Sequence, residues 1–377
     1  MTYEPRFQYT AGMVRRLMTI SAARALVDVL PVPPDAAFMM KYEAQKRSTH
    51  FSTSIEGNEL SLDQIREGVA FADRTGSRQQ QEVRNYWRAL EWVERRIDGG
   101  TIDEEFIRRL HAIIDVRGRG RRVEESGYRT EECPVVDKAT GALDYAPPRP
   151  DDVPELMAGL VAWLRSANAA ELPAPVRAAI LAHRFVSIHP FGDGNGRTAR
   201  ALATAELWFS GYWMRGFLSV EEYYYRDLAR YYQSLQMDLP IDFYDGRHDP
   251  DLTPWLEYFL EVMERASIEV RDTALRLWDR SDHPPAPWEE LNRRQQQLLA
   301  RLVIAHPESA DVPTFSIPDL QAWFGVSRST AGKWIHSWHD DGFLEPASGD
   351  VRITAWRPSE QFQAVVASVR KAVNCTE

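Results

Sequence analysis

The sequence has few cysteines and no long apolar run. Two of its 377 residues are cysteine, Cys133 and Cys375, far apart in the chain. We therefore predict neither a disulfide framework nor a cysteine-ligated metal site, and a reducing compartment fits this usage. The N-terminal segment lacks the apolar stretch of a signal peptide, and no run of apolar residues is long enough to span a bilayer. These absences predict a cytoplasmic protein that does not act in a membrane.

The chain also lacks an excess of basic charge. It carries 45 Lys and Arg against 55 Asp and Glu, a formal net charge of −10 at pH 7. Proteins that bind nucleic acid or anionic lipid over a broad surface need the opposite balance, because they neutralise phosphates. A length of 377 residues is enough for about two to three domains.

The most informative stretch covers residues 189–200, HPFGDGNGRTAR. Apolar residues at three- and four-residue spacing predict a helix that leads into it and ends at Pro190, and a second helix follows the glycines. A glycine loop that opens a helix directs unpaired backbone N–H groups and the positive end of the helix dipole at one point. This geometry predicts a phosphate site.

Four side chains in this stretch suit chemistry on a nucleotide. Arg197 and Arg200 are three residues apart, so they share one helix face and can act as paired anion ligands. Asp193 suits Mg²⁺, which usually takes one or two carboxylates together with substrate phosphates and water. His189 titrates near neutrality and can accept a proton from a nucleophile. The alternative is a helix-capping turn beside a core histidine and two surface arginines, which leaves their convergence unexplained.

The stretch resembles the signature of the Fic family, HxFx(D/E)GNGRxxR. The residues that match it without departure are His189, Phe191, Asp193, Gly194, Asn195, Gly196, Arg197 and Arg200. The resemblance implies protein AMPylation. A Ser, Thr or Tyr hydroxyl of a target protein would attack the α-phosphorus of ATP and expel pyrophosphate.

The resemblance also assigns roles within the stretch. His189 is the expected base and Asp193 the expected Mg²⁺ ligand. Asn195 and the loop amides, which include those of Gly194 and Gly196, would hold the phosphates of ATP. Arg197 and Arg200 would bind the β and γ groups, and Phe191 would anchor the loop in the core.

A second motif lies upstream, where residues 52–57 read STSIEG. This fits (S/T)xxxE(G/N) and resembles the inhibitory motif of Fic proteins, placed before the core as in the family's second class. The resemblance implies that Ser52 and Glu56 restrain the site, with Glu56 paired to Arg200. The alternative is an ordinary helix end, with Gly57 as the residue just beyond it.

Two short β-prone segments predict a hairpin. They are residues 134–136 and 143–145, with a turn at Thr140 and Gly141 between them. In Fic proteins a hairpin flap precedes the core and clamps the target's main chain by strand addition. Val135 and Val136 are the predicted target contacts, and an ordinary exposed loop is the alternative.

A tyrosine pair, Tyr231 and Tyr232, lies in a later predicted helix. In related Fic proteins a tyrosine of such a pair and a later asparagine hold the adenine. Tyr232 is therefore the predicted adenine contact, although Leu239 stands where the asparagine is expected. An aromatic stripe of the core is the alternative.

The predicted fold class is mainly α. It comprises a helical Fic core with a small β-hairpin flap and a C-terminal winged-helix domain. Residues 1–100 form the N-terminal helical region, residues 101–280 the Fic catalytic core and residues 288–360 the winged helix, with the proline-rich residues 281–287 as boundary. Ser61 and Thr101 are predicted helix N-caps. His111 and His183 are expected to support the core or the loop, since neither has metal-ligand neighbours in sequence.

The predicted winged helix has two short helices joined at Gly325, with Ser327 as N-cap of the second. The side chains expected to point outward from the second helix are Arg328, Lys333, His336 and His339. Residues 291–360 contain seven Arg and Lys against eight Asp and Glu, which is poor for phosphate neutralisation. A protein-interaction or dimer-supporting role is therefore favoured, with DNA binding uncertain.

The sequence is consistent with three hypotheses about function. The first is an autoinhibited protein adenylyltransferase that uses ATP and Mg²⁺, on its own or as a homodimer. The second is an enzyme that also removes AMP, with Glu56 positioning water. The third is a nucleotide-sensing, DNA-binding regulator, against which His189 argues because sensing needs no base. A phosphate-transferring variant resembling Doc is disfavoured, because Gly196 stands where such sequences carry lysine.

Overall fold

The computed structural model describes residues 3–30, 32–65, 77–116, 125–136, 140–279, 291–305, 313–347, 353–363 and 366. The predicted boundary at 281–287 and Cys375 lie outside these ranges. So does the part of the helix after Ser61 that extends past Ile65.

The described residues are mainly helical, which confirms the predicted fold class. The α-helices are α1 Ala11–Val29, α2 Pro34–Ile55, α3 Arg78–Glu94, α4 Glu104–Ile114, α5 Val153–Leu164, α6 Ala167–Ala170, α7 Ala174–Ile188, α8 Asn195–Phe209, α9 Glu221–Arg226, α10 Leu228–Gln236, α11 Thr253–Asp279, α12 Arg293–Ala305, α13 Ile317–Phe324 and α14 Arg328–Asp340. The strands are β1 Val135–Val136, β2 Leu143–Tyr145, β3 Leu344–Pro346 and β4 Trp356–Pro358. No helix within the described ranges has both the length and the apolar composition that a membrane crossing needs.

Helix α7 lies at the centre of the largest core. Thirteen of its 15 residues are buried, and a helix that is buried on nearly all sides must be enclosed by others. It packs against α5, α8 and α11. Core packing therefore fixes the C-terminal end of α7 and the N-terminal end of α8. The loop that joins these two ends is held at both sides.

Helices α2 and α3 cover the N-terminal side of α8. They pack against each other, and each also contacts α8. Ile55 at the end of α2 and Tyr86 of α3 belong to the same apolar core as α7 and α8. The N-terminal region therefore contributes directly to the core that holds the glycine loop.

The predicted hairpin is present. Strands β1 and β2 pair antiparallel, with Val135 opposite Tyr145 and Val136 opposite Leu143. Tyr145 is buried and its hydroxyl donates to the carbonyl of Ser187 at the end of α7. Val136 and Leu143 are 48% and 45% exposed, so this short sheet presents an apolar outer surface.

The C-terminal part forms a second apolar core from α12, α13, α14 and the antiparallel pair of β3 and β4. As predicted, Gly325 ends α13 with a φ of 63° and Ser327 caps α14. The side chains predicted to point outward from α14, Arg328, Lys333, His336 and His339, are all exposed. The assignment as a winged helix and the three domain boundaries stay predictions.

This second core also contacts the N-terminal helices. Met39 of α2 is buried in it. Arg301 of α12 donates to Glu91 of α3, with 3.3 Å between Nη2 and Oε1. Helices α2 and α3 therefore touch both cores.

One predicted cap is wrong. The cap of α4 is Asp103, whose Oδ1 accepts from the backbone N–H of Phe106 over 2.7 Å, whereas Thr101 lies before the cap. Aspartate ranks above threonine as an N-cap, and its negative charge also favours the positive end of the helix dipole.

We expect Asp103→Ala to lower the free energy of unfolding by about 1 kcal/mol, because it removes the cap of α4. The matched control Thr101→Ala should change it by less than about 0.5 kcal/mol. Urea denaturation of both variants checks this. A larger loss for Thr101→Ala than for Asp103→Ala would contradict the cap assignment.

Candidate active site

The loop between α7 and α8 reverses the chain through two left-handed residues. His189 ends α7 with φ 50° and ψ 56°, and its N–H donates to the carbonyl of Phe185 over 3.1 Å. Gly194 precedes α8 with a φ of 76°, a conformation that suits glycine. The N-terminal amides of α8 and the imidazole of His189 therefore lie at the same loop.

The side chain of Asn195 holds the loop closed. Its Oδ1 accepts from Phe191 N–H over 3.0 Å, and its Nδ2 donates to Phe191 O over 2.6 Å. Asn195 is 2% exposed. The amide that the family resemblance assigned to phosphate contact is thus engaged by loop backbone in this structure.

Phe191 anchors the loop, as predicted. It is 1% exposed and stacks on His111, with ring centroids 3.7 Å apart. His111 Nε2 lies 2.8 Å from Asp193 O, and its Nδ1 lies 2.6 Å from Ser126 Oγ. Because a carbonyl only accepts, Nε2 must carry the proton. His111 therefore supports the loop, as the sequence indicated.

Arg129 clamps the start of the loop. Its Nε donates to His189 O over 2.8 Å, and its backbone N–H donates to Pro190 O over 2.9 Å. Arg129 is buried. The left-handed conformation of His189 is thus supported by a side chain from outside the motif.

His189 is arranged to accept a proton. Burial lowers its pKa to about 4, although Glu56 and Asp193 act in the opposite direction. The imidazole is therefore neutral near pH 7. Its Nδ1 lies 3.3 Å from the carbonyl of Val186, so Nδ1 is the protonated nitrogen and Nε2 is left as the acceptor.

Arg197 is buried with unused donors. Its side chain is 4% exposed, and its Nη2 lies 3.4 Å from Asp193 Oδ1. Its Nε and Nη1 are buried and have no hydrogen-bond partner among the described residues. The carboxylate oxygen Oε1 of Glu82 lies 3.8 Å from Nη1. Unpaired buried N–H groups of a cation are costly, and an anionic ligand would satisfy them.

All three side-chain nitrogens of Arg200 have hydrogen-bond partners. Its Nη2 donates to Glu56 Oε1 over 2.8 Å and to Ser52 O over 2.8 Å. Its Nε donates to Ser52 Oγ over 2.9 Å, and its Nη1 lies 3.4 Å from Tyr231 Oη. Burial lowers the pKa of Arg200, but Tyr231, Glu56 and Tyr86 raise it more, so its net pKa lies above the ordinary value.

Glu56 reaches Arg200 because α2 ends beside α8. Glu56 is the C-cap of α2, and Gly57 follows with a φ of 91°, so the helix-end reading and the contact with Arg200 hold together. A Cβ added at Gly196 would overlap the carboxylate of Glu56. Glycine at 196 therefore lets this carboxylate lie directly over the first turn of α8.

Asp193 offers one carboxylate to a metal ion. Within the described ranges no group of three or more His, Cys, Asp or Glu residues could hold a metal. A single carboxylate fits Mg²⁺ that is bound chiefly by nucleotide phosphates and water. In this structure Asp193 Oδ2 accepts from Arg78 Nη2 over 3.0 Å, and Oδ1 accepts from Gly194 N–H over 2.7 Å.

Burial separates the two tyrosines. Tyr231 is 5% exposed and Tyr232 is 40% exposed. Tyr231 stacks on Tyr224 with centroids 4.7 Å apart. Tyr232 Oη donates to the carbonyl of Ile55 over 3.3 Å, so its ring lies beside the segment that carries Glu56. Tyr231 is the core member, and Tyr232 is the one that a ligand can reach.

The flap approaches the glycine loop. Cys133, just before β1, lies 3.7 Å from the carbonyl of Gly192 through its Sγ. Val135 is partly buried and Val136 exposed. The two valines predicted as target contacts thus differ in exposure.

The residues that support the loop from other elements were not predicted from the sequence. Those that contact the loop or its charged side chains from other elements are Arg78, Glu82, Ser126 and Arg129. No local spacing or motif marks them, because each contact joins residues that are distant in sequence.

We expect the imidazole of His189 to titrate near pH 4 rather than near its ordinary value of 6.5, because burial disfavours its charged form. A histidine whose pKa falls on folding stabilises the protein above the unfolded pKa, and this contribution is lost as pH falls from about 6.5 toward 4. Proton NMR checks this through the imidazole signal that disappears in His189→Gln. A midpoint near 6.5 would contradict the lowered pKa of His189.

Comparison with known proteins points to one family. The sequence profile of the Fic/DOC family matches residues 101–207. A protein adenylyltransferase Fic from Drosophila willistoni is 31% identical over 215 residues, which cover 54% of this chain and 41% of that protein. The corresponding protein from Nematostella vectensis is 32% identical over 178 residues, which cover 45% and 39%. The chain thus spans about two fifths of the length of these relatives.

Solved structures support the same fold. A Fic family protein from Desulfovibrio desulfuricans aligns with a TM-score of 0.58 and 24% identity over 95% of this chain and 99% of that chain. A Fic domain containing signaling protein from Bacteroides thetaiotaomicron aligns with a TM-score of 0.57 and 23% identity over 71% and 97%. At these identities the likeness concerns the fold alone.

Proposed function

Because this chain carries a Fic domain over residues 101–207, we propose that it is an autoinhibited protein adenylyltransferase. It transfers AMP from ATP to a Ser, Thr or Tyr hydroxyl of a target protein and releases pyrophosphate. Support comes from the relatives named protein adenylyltransferase Fic and from the chemistry available at the loop between α7 and α8.

The observation that carries the proposal is a neutral base beside an anion site with unused donors. His189 has an accepting Nε2. The N–H groups at the start of α8 and the unpaired Nε and Nη1 of Arg197 suit an anionic ligand. A nucleoside triphosphate supplies such an anion. The base in addition suits a reaction that transfers a proton, since binding alone needs no base.

The transfer step follows from these groups. Nε2 of His189 removes the proton from the target hydroxyl, and the hydroxyl oxygen attacks the α-phosphorus of ATP. A bond forms between that oxygen and the α-phosphorus, while the bond from the α-phosphorus to the oxygen that bridges it to the β-phosphorus breaks. Pyrophosphate leaves with that electron pair, and the imidazole keeps the proton. The donors of the loop stabilise negative charge as it develops.

The phosphate contacts are assigned to the loop and to two arginines. The backbone amides of Asn195 and Gly196 and the guanidinium of Arg197 bind the phosphates. The Gly194 amide joins them once it leaves Asp193 Oδ1, and Arg200 binds the terminal phosphate once Glu56 leaves. Asp193 is the residue that would hold Mg²⁺, which when bound neutralises phosphate charge. No other carboxylate is needed for an ion held mainly by phosphates.

Two further contacts complete the proposed site. Tyr232, exposed and adjacent to the end of α2, is assigned to the adenine ring, on which an aromatic side chain can stack. The hairpin of β1 and β2 is assigned to the target protein, through strand addition at Val135 and Val136. The exposed apolar surface of this hairpin supports that role.

Autoinhibition is assigned to Glu56 together with Ser52. The Glu56 carboxylate pairs with Arg200 and lies against Gly196 at the first turn of α8. A second anion cannot occupy the same space, and two anions so close repel each other. ATP therefore binds weakly or unproductively until Glu56 moves away.

The residues predicted as a winged helix are assigned to protein interaction, including pairing of two copies of the chain. The near balance of charge between residues 291 and 360 disfavours strong DNA binding. The proposed division into residues 1–100, 101–280 and 288–360 follows the sequence prediction.

Labelling with ATP tests the proposal. We expect Glu56→Gly to raise the transfer of radiolabelled AMP to protein above that of the parent chain, because Arg200 becomes available to a phosphate. His189→Ala should abolish labelling in both backgrounds, because the base is lost. Label on the α-phosphorus should reach protein, whereas label on the γ-phosphorus should not.

Ser54→Ala serves as a control on the same helix, since the hydrogen bonds of Arg200 go to Ser52, Glu56 and Tyr231, and it should label like the parent. Equal labelling of the parent, Glu56→Gly and His189→Ala would overturn the proposal. Transfer of label from the γ-phosphorus would replace AMP transfer by phosphate transfer.

A further inference from the structure

Asp193 is paired with a cation that comes from outside the loop. Arg78 Nη2 lies 3.0 Å from Asp193 Oδ2, while Arg197 Nη2 lies 3.4 Å from Oδ1. A divalent cation would need the same carboxylate oxygens. A guanidinium and a metal ion at the same carboxylate oxygen repel each other. Arg78 therefore competes with a metal ion for Oδ2.

The position of Arg78 is set by the start of α3. Arg78 is the first residue of that helix, and Ser77 and Gln80 cap it through reciprocal hydrogen bonds. Its Nε also donates to Glu82 Oε1 over 3.2 Å. The guanidinium is thus directed toward the loop by a capped helix end and a neighbouring carboxylate.

The start of α3 is tied to the segment that carries Glu56. Asn58, two residues after Glu56, is 5% exposed. Its Nδ2 donates to Gln79 O over 2.9 Å and to Glu82 Oε2 over 3.0 Å. The end of α2 and the start of α3 are therefore joined through Asn58. They place the Glu56 carboxylate at Arg200 and the Arg78 guanidinium at Asp193.

We propose that Arg78 is a second inhibitory residue, whose guanidinium occupies the Asp193 carboxylate in place of a divalent cation while Glu56 occupies Arg200 in place of a phosphate. This inference rests on the proposed function, since it requires Asp193 to be the metal ligand. The metal–nucleotide complex brings one cation and several anionic oxygens. Its cation meets Asp193, which is paired with Arg78, and its terminal phosphate meets Arg200, which is paired with Glu56.

The expected effect is modest. The Arg78 side chain is 65% exposed, and exposed ion pairs contribute little because water screens them. Loss of Arg78 should therefore lower the Mg²⁺ concentration needed for half-maximal ATP binding by about two- to five-fold. The larger barrier to nucleotide binding remains the buried contact at Arg200.

The test uses the full chain with His189→Ala, so that bound ATP is not consumed. ATP binding is measured by calorimetry over a titration of Mg²⁺, with and without Arg78→Gln. Arg88→Gln is the matched control, since Arg88 is exposed on the same helix, and it should leave the Mg²⁺ dependence unchanged. In EDTA, Arg78→Gln should not tighten ATP binding, because loss of a positive charge cannot attract phosphate.

An unchanged or higher Mg²⁺ requirement in Arg78→Gln overturns the inference and leaves the proposed function standing. So does tighter ATP binding by Arg78→Gln in EDTA, or an equal fall for Arg88→Gln, since neither depends on the metal carboxylate. Failure of ATP to bind with Mg²⁺ in all three variants, even when each also carries Glu56→Gly, removes the proposed function together with the inference.

Discussion

The contact between Arg200 and Glu56 is the interaction on which the proposed account depends. A buried guanidinium must be paired, and this one is held by acceptors from α2 and α10 as well as by Glu56. When Glu56 leaves, Ser52 and Tyr231 still hold most of its donors. The arginine therefore stays in position and needs only one replacement anion. A phosphate can then replace the Glu56 carboxylate at an arginine that is already in position. This costs less free energy than assembling a phosphate site when ATP binds, because the donors of the site need no rearrangement.

The loop between α7 and α8, next to this contact, is held in place largely by residues outside the motif. Phe191 and Asn195 close the loop from within, but His111 and Arg129 fix it from α4 and from the segment before the hairpin. Catalysis by positioned groups requires such support, since small displacements of a base are costly. The proposal therefore requires the end of α2 and the start of α3, which Asn58 joins, to move, and it leaves the loop itself in place.

Local features of the site could be predicted from the sequence because they depend on neighbours in the chain. The glycine loop, the helix that follows it and the hairpin are of this kind. The pairing of Glu56 with Arg200 joins positions far apart, and only the resemblance to a known motif suggested it. The resemblance assigned Asn195 to the phosphates, whereas its hydrogen bonds to Phe191 form only in the folded chain. Thr101 and Asp103 both suit an N-cap, and the helix begins directly after Asp103. Arg78 and Arg129 carry no local signal at all.

The most direct test of the central claim is the ATP dissociation constant of two otherwise identical proteins, the parent and Glu56→Gln, measured in excess Mg²⁺. Glutamine keeps the size of the side chain and removes its charge, so the loss of a charge-assisted hydrogen bond is isolated from changes in packing. The account predicts that Glu56→Gln lowers the dissociation constant by about tenfold or more. Equal affinity of the two proteins for ATP would contradict the claim that Glu56 stands in for a phosphate at Arg200.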